Sequence, residues 1–196
     1  MKRDQLLQAV REVRATYPAI DLSRRDVFLR NLTFVHNVIT ASENLLRVAR
    51  DCSTGHLAAY FDEHLEEELR HETWLANDLA SAGVHVHTLP ISPEAVAMAG
   101  AQYYLIYHVD PVALLGYMAV LECFPIDVEA LEALEEIHGK QLCRTLRYHA
   151  EHDIDHGSDV LDEVDRLSEK QFQLVMQNAV QTALYIGSAI SKFGVQ

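Results

Sequence analysis

Phe28, Leu32, Val35, Ile39 and Leu46 recur near the helical period through "RRDVFLRNLTFVHNVITASENLLRVARD", a run that holds neither glycine nor proline. A chain with so long an amphipathic segment must set it against other helices, because a stripe of this kind cannot seal itself from water. Elsewhere the glycines and prolines fall between segments of the same type. A short charged helix over Lys2 to Ala15 stops at Tyr17-Pro18, and Leu22-Ser23 offers an N-cap for the long helix. Ser53-Thr54-Gly55 ends it, and a second long helix is predicted from His56 to Ala82, closing at Gly83. After the loop "VHVHTLP", Ser92-Pro93-Glu94 opens a helix with Ser as cap and Pro at the first helical position. Asp110-Pro111 opens the next, and Pro125-Ile126-Asp127 another that ends near Gly139. One more then runs toward Leu167, and a last apolar helix covers Ser168 to about Lys192. No segment alternates with the period of two that a half-buried strand needs. The expectation is an all-α bundle of about seven helices, without repeats or a linker, forming one domain over residues 1–196.

With 49% apolar residues in 196, such a bundle can bury a sizeable core, and no polar low-complexity tract argues for disorder. The formal charge of −13 argues against nucleic acid or an anionic membrane as partner, since phosphate binding needs clustered Lys and Arg. Carboxylates that hold cations would account for part of that charge. There is no 18-residue apolar run and no leader with a cleavage site, so a cytoplasmic protein is expected. Cys52, Cys123 and Cys143 are odd in number and form no CxxC pair, which fits reduced thiols packed as small apolar side chains.

The chemistry gathers in a few places. "YHAEHDIDHGSD", Tyr148 to Asp159, crowds three histidines against four acidic residues. At about 100° per residue, His149, Asp153 and His156 share one helix face and His152 lies at its edge. Spacing therefore permits either His149/Asp153/His156 or His149/His152/His156. In "HLEEELRHE" both Glu67 and Glu68 can project beside His71. Glu43 stands among apolar neighbours in "VHNVITASENLL", and Glu122 is isolated in "GYMAVLECFP". Ionised carboxylates in such surroundings are costly to bury without a positive partner, and with Arg and Lys scarce in both segments a metal cation is a plausible one. Glu43, Glu68, Glu122 and Asp153 supply four carboxylates, enough to balance two divalent cations, and His71, His149 and His156 supply three imidazoles. Mixed oxygen and imidazole ligands suit iron or manganese, and helical bundles build two-metal carboxylate sites from side chains on facing helices.

"ELRH" at Glu68–His71, the isolated Glu43 before it and Glu122 after it, then "HAEHDIDH" at His149–His156, resemble the heme-oxygenase-like diiron oxidases and oxygenases. That family is built on the scaffold of heme oxygenase, thiaminase II and the PQQ-synthase-like proteins. The resemblance covers the order of all four elements, roughly residues 23 to 190. It implies that one iron takes His71 and His149 and the other Asp153 and His156. Glu43, Glu68 and Glu122 would complete or bridge the pair, and Asp153 is favoured over His152. It also implies two iron ions, or an iron–manganese pair, and O₂ as co-substrate. A peroxo-bridged diferric species would act on a small amino-acid, amine or fatty-acid-like substrate, with N-oxygenation, desaturation or C–C cleavage as outcomes. The metal-binding helix around Asp153 is often mobile in that family, and Gly157, directly after His156, would tolerate that. A homodimer is the default expectation.

Other readings stand beside this one. A metal-independent thiaminase II-like hydrolase on the same scaffold would need a cysteine nucleophile beside a base, and none is evident. A non-enzymatic metal-binding or partner-binding bundle is a third class. His36, His64 and His152 read as surface groups or as supports behind the ligands, and His85 and His87 as loop residues. The "YYLIYH" run, Tyr103 to His108, reads mainly as core, with room for one tyrosine in a substrate pocket.

Overall fold

The computed structural model describes residues 1–193, except the side chains of 153–155. Among the described residues there are nine α-helices and no strand. They are α1 (Lys2–Arg14), α2 (Arg25–Cys52), α3 (Gly55–Glu68), α4 (His71–Ser81), α5 (Pro93–His108), α6 (Leu114–Glu122), α7 (Val128–His138), α8 (Arg144–Arg166) and α9 (Glu169–Phe193). Short 3₁₀ turns at Val86–Thr88 and Pro111–Ala113 precede α5 and α6. The expected all-α bundle is present, with more helices than the sequence pattern suggested.

The principal difference lies in the second long helix, which is two. Arg70, at φ 76°, is the sole non-glycine residue with positive φ among those described, and it separates α3 from α4. A left-handed residue with a Cβ costs about 1–2 kcal/mol, so the surrounding structure must hold it. No glycine or proline marks this break, which is why apolar periodicity ran straight through it. Glu68 closes α3 and His71 opens α4, so their approach comes from a bend in the chain rather than from one helical face.

Other boundaries follow local chemistry. Ser92 caps α5 as expected, its Oγ accepting from the Ala95 N–H with Pro93 next in line. Asp127 caps α7 through the Glu129 and Ala130 N–H groups. Ser23 does not cap α2, whose capping position is Arg24; the Ser23 N–H and hydroxyl both bond Asp21 instead. Every residue of α6 except Leu121 is buried, so this helix is the axis of the bundle, with α2, α8 and α9 packed around it. Phe28 and His138 stack at 4.3 Å, and the His138 Nε2 meets the Leu22 carbonyl at 2.8 Å, which joins α7 to the start of α2. Burial of a phenylalanine such as Phe28 contributes about 1.5–3 kcal/mol.

α8 lacks a capping side chain of its own, and α4 supplies one. Buried Asp78 accepts from the Thr145 N–H at 2.8 Å and from its hydroxyl at 2.5 Å. Arg144 meets the other oxygen at 2.8 Å as an ion pair without hydrogen-bond alignment. Asp78→Ala removes a cap, worth about 1 kcal/mol, and orphans a buried N–H, worth about 1–3. The expected loss is roughly 2–4 kcal/mol, read as a lower urea midpoint at unchanged m-value. A midpoint equal to wild type would show that Asp78 does not secure α8 to α4.

Candidate metal centre

Side chains from α3, α4, α6 and α8 meet beside the axial helix. Glu68, His71 and His149 each offer a ligand atom, and these atoms all lie within 4.8 Å of one another. The Glu68 carboxylate is 3.2 Å from His71 Nδ1, while Glu67 is largely exposed, so the bend at Arg70 selects between the two adjacent carboxylates. The His71 ring stands edge-on to His149 at 5.0 Å and is walled by Trp74 and Tyr148 at 4.5 and 5.1 Å. Burial pushes the Glu68 pKa up, but the hydrogen bond and charge of His71 outweigh it and hold the carboxyl below its usual range.

A second group adjoins the first. Glu122 ends α6, and its Oε1 lies 3.0 Å from His64 Nε2; its Oε2 is buried without a hydrogen bond to any described residue. His156 Nδ1, also buried without a hydrogen bond, lies 3.9 Å from Glu68 Oε1, and its Nε2 lies 3.6 Å from Glu67. Orphaned acceptors of this kind are uncommon in folded proteins, and carboxylate oxygens and imidazole nitrogens are donors that divalent iron or manganese takes. The residues fit such ions. Gly157 contributes to this arrangement by closeness rather than flexibility: a Cβ there would stand 3.0 Å from the Glu122 carbonyl and 3.3 Å from Cys123 Cα. Its lack of a side chain lets α8 lie against the end of α6.

The seven residues expected from sequence fare differently. Glu68, His71 and His149 come together, with Glu122 and His156 next to them. The Asp153 side chain lies outside the described residues. Glu43 is not brought in: its carboxylate pairs with Arg47 at 2.6 Å, one turn along α2, and it does not line the cavity below. A single arginine four residues on is partner enough, so the scarcity of basic residues in that segment was a poor guide. His152 is exposed, its Nδ1 on the Tyr148 carbonyl at 2.8 Å and its ring stacked on Tyr148, so it does not compete for the inner face. His36 is buried on α2, and burial lowers its pKa. His64, which the sequence pattern marks as a surface or supporting group, is 4% exposed and stands beside Glu122 and Glu68. The i, i+4 spacing of His64 and Glu68 on α3 carries that signal.

Burial lowers the His64 pKa, but the Glu122 carboxylate beside it, with Glu68 and Glu67 behind, outweighs burial and lifts it to about 9. Burial pushes Glu122 upward. A histidine raised above its unfolded value contributes stability that is complete below about pH 6.5 and lost as pH rises through about 9. The raised Glu122 acts in the same direction. Chelator-treated protein should therefore lose urea resistance between pH 6.5 and 9, and His64→Gln should flatten that decline. A midpoint constant over this interval would contradict the assignment.

A cavity of about 270 Å³ opens from the centre. Its lining includes His64, Glu68, Glu122 and His149 at one place and elsewhere mostly apolar side chains, with Asn31, Ser42 and the Tyr117 hydroxyl as the other polar groups and no lysine or arginine. The α2 contribution runs from Asn31 to Leu46, roughly 22 Å of helix axis at about 1.5 Å per residue. Tyr117 lines it, with its hydroxyl 2.8 Å from Ser42 Oγ; the expected tyrosines do not, and Tyr104 and Tyr107 are exposed. Arg144 and Arg147 are engaged with Asp78 and with Glu135 and Glu151. No helix among the described residues is long and apolar enough to cross a membrane.

The architecture is the heme-oxygenase-like fold. A domain of unknown function with that fold from Shewanella denitrificans superposes with a TM-score of 0.75 at 16% identity, covering 97% of this chain and 86% of its own. A TenA homologue from Pseudomonas syringae pv. tomato superposes with a TM-score of 0.72 at 14% identity, covering 97% and 91%. No protein-family profile matches the sequence, and no curated protein matches it.

Proposed function

We propose that the chain is a non-heme diiron enzyme, an oxidase or oxygenase that uses O₂ on a small, largely apolar substrate. The observation that carries this reading is the cluster of Glu68, buried His71 and His149, with ligand atoms within 4.8 Å, at the wall of a mostly apolar cavity. Glu68, His71 and His149 would hold one ion, and Glu122 and His156, with Asp153 by sequence, the other. When bound, the two ferrous ions supply the electrons that activate O₂, for which anionic carboxylates that stabilise the ferric state are suited. The chain's own part is to hold the substrate in the cavity, to exclude bulk water from it, and to keep Glu68 ionised through His71.

A mostly apolar lining without lysine or arginine supports a hydrocarbon-rich substrate or an amine over an amino acid gripped by its carboxylate. A thiaminase II-like hydrolase is the alternative that the TenA homologue brings to mind, since it shares this scaffold. Cys123 speaks against it: burial first, and then Glu122, push its thiol up to about 12, and its Sγ faces the Gly157 carbonyl rather than a base. Anaerobic loading with Fe(II) followed by O₂ tests the proposal. O₂ uptake in proportion to bound iron, with a transient visible absorption, is expected; iron that stays ferrous in air would refute it.

A further inference from the structure

We infer that His64 is a ligand of the second metal position, in the place where the sequence pattern suggested Glu43. The inference rests on the diiron reading and extends it to a residue outside the expected set. Glu43 is held by Arg47 and does not reach the cavity, so the second position lacks one of its expected carboxylates. His64 is the group that stands there instead. It is 4% exposed, lines the cavity with Glu68, Glu122 and His149, and places Nε2 3.0 Å from Glu122 Oε1. Its ring lies 5.5 Å from that of His156, at 66°. Both neighbours carry a buried ligand atom without a hydrogen bond among the described residues, Glu122 Oε2 and His156 Nδ1.

Position along α3 explains why this residue and not another is offered. Phe61 and Leu65 bury the helix, and His64 and Glu68 are one turn apart on its inner side. The break at Arg70 then aims His71 at the first position and leaves His64 beside the second. A neutral imidazole in place of a carboxylate removes one negative charge from the ligand set, which favours the ferrous pair over the ferric one relative to a four-carboxylate centre. A purely supporting role, in which His64 only holds the Glu122 carboxylate, is the competing account.

Cobalt(II) separates them without recourse to activity. Wild type, His64→Ala, His64→Gln, Glu43→Ala and His152→Ala are loaded anaerobically with Co(II), and bound metal is counted by mass spectrometry alongside the visible ligand-field spectrum. Circular-dichroism melts confirm that each variant is folded. Glutamine can still bond Glu122 but is a poor metal ligand. We expect two ions in wild type, Glu43→Ala and His152→Ala. Both His64 variants should keep one ion and bind the second at least about 10-fold more weakly, with loss of its absorption bands. Two ions in His64→Gln with a wild-type spectrum would overturn the inference and leave the diiron reading standing. Loss of an ion in Glu43→Ala would return that role to Glu43. One ion or none in wild type would overturn the diiron reading and the inference together.

Discussion

Glu68→Ala and His71→Ala each fold but fail to retain iron at the position they share with His149. Removing a group that only supports a ligand typically costs 10–100-fold in metal affinity, and a ligand itself should cost more than about 100-fold. In the metal-free protein Glu68 raises the Glu122 pKa, but His71 at 3.2 Å holds Glu68 itself below its usual range, so the ionised carboxylate contributes stability there. Without metal, Glu68→Ala should therefore melt below the wild type. With saturating Fe(II) the gap widens, because a ligand present at 100 times its dissociation constant stabilises the folded state by about 2.7 kcal/mol and the variant forfeits this. Anaerobic calorimetry with and without Fe(II) reads both differences. A variant that gains as much from iron as the wild type would show a structural carboxylate and no metal site.

Gly116→Ala is the substitution away from the ligands with the largest expected effect. In an exposed helix this change stabilises by up to about 1 kcal/mol. Here the new Cβ would stand 2.3 Å from the Val175 carbonyl and 2.8 Å from the Ala179 nitrogen, both backbone atoms of α9 that cannot rotate aside. α9 must then move away from the axial helix, and it carries Asn178, whose Nδ2 bonds the Gln102 side chain and the Ala113 carbonyl in a buried network. Overpacking costs about 1–3 kcal/mol and an orphaned buried amide about as much again, so the melting temperature should fall by on the order of 10 °C. Because α6 ends at Glu122, that carboxylate should lose its place beside His64 with it. Gly100→Ala is the internal control: nothing lies within 4 Å of its Cβ on α5, and it should raise stability. Equal effects from the two substitutions would mean that α6 and α9 are not in close contact at Gly116.

Sequence patterns carried the architecture where local chemistry sets it. Ser92-Pro93 and Asp127 announce α5 and α7 because a cap is a short-range bond. The break at Arg70 could not be read, since a left-handed arginine is imposed by tertiary packing against its own preference. Of the residues that the sequence pattern singled out, the structure gathers Glu68, His71 and His149. The pattern failed at Glu43, where a plain i, i+4 pair with Arg47 accounts for an acid that seemed to lack a partner. His64 was undervalued because a lone histidine has no burial until α3 is placed against α6 and α8. The fold alone does not choose a reaction, since one scaffold hosts several.

The most direct test is a crystal grown after anaerobic Fe(II) loading and measured across the iron absorption edge. The account predicts two anomalous peaks per chain inside the bundle, one coordinated by Glu68, His71 and His149, the other by Glu122 and His156. No peak at these residues, or iron only on the exposed acids Glu66 and Glu67, would contradict it.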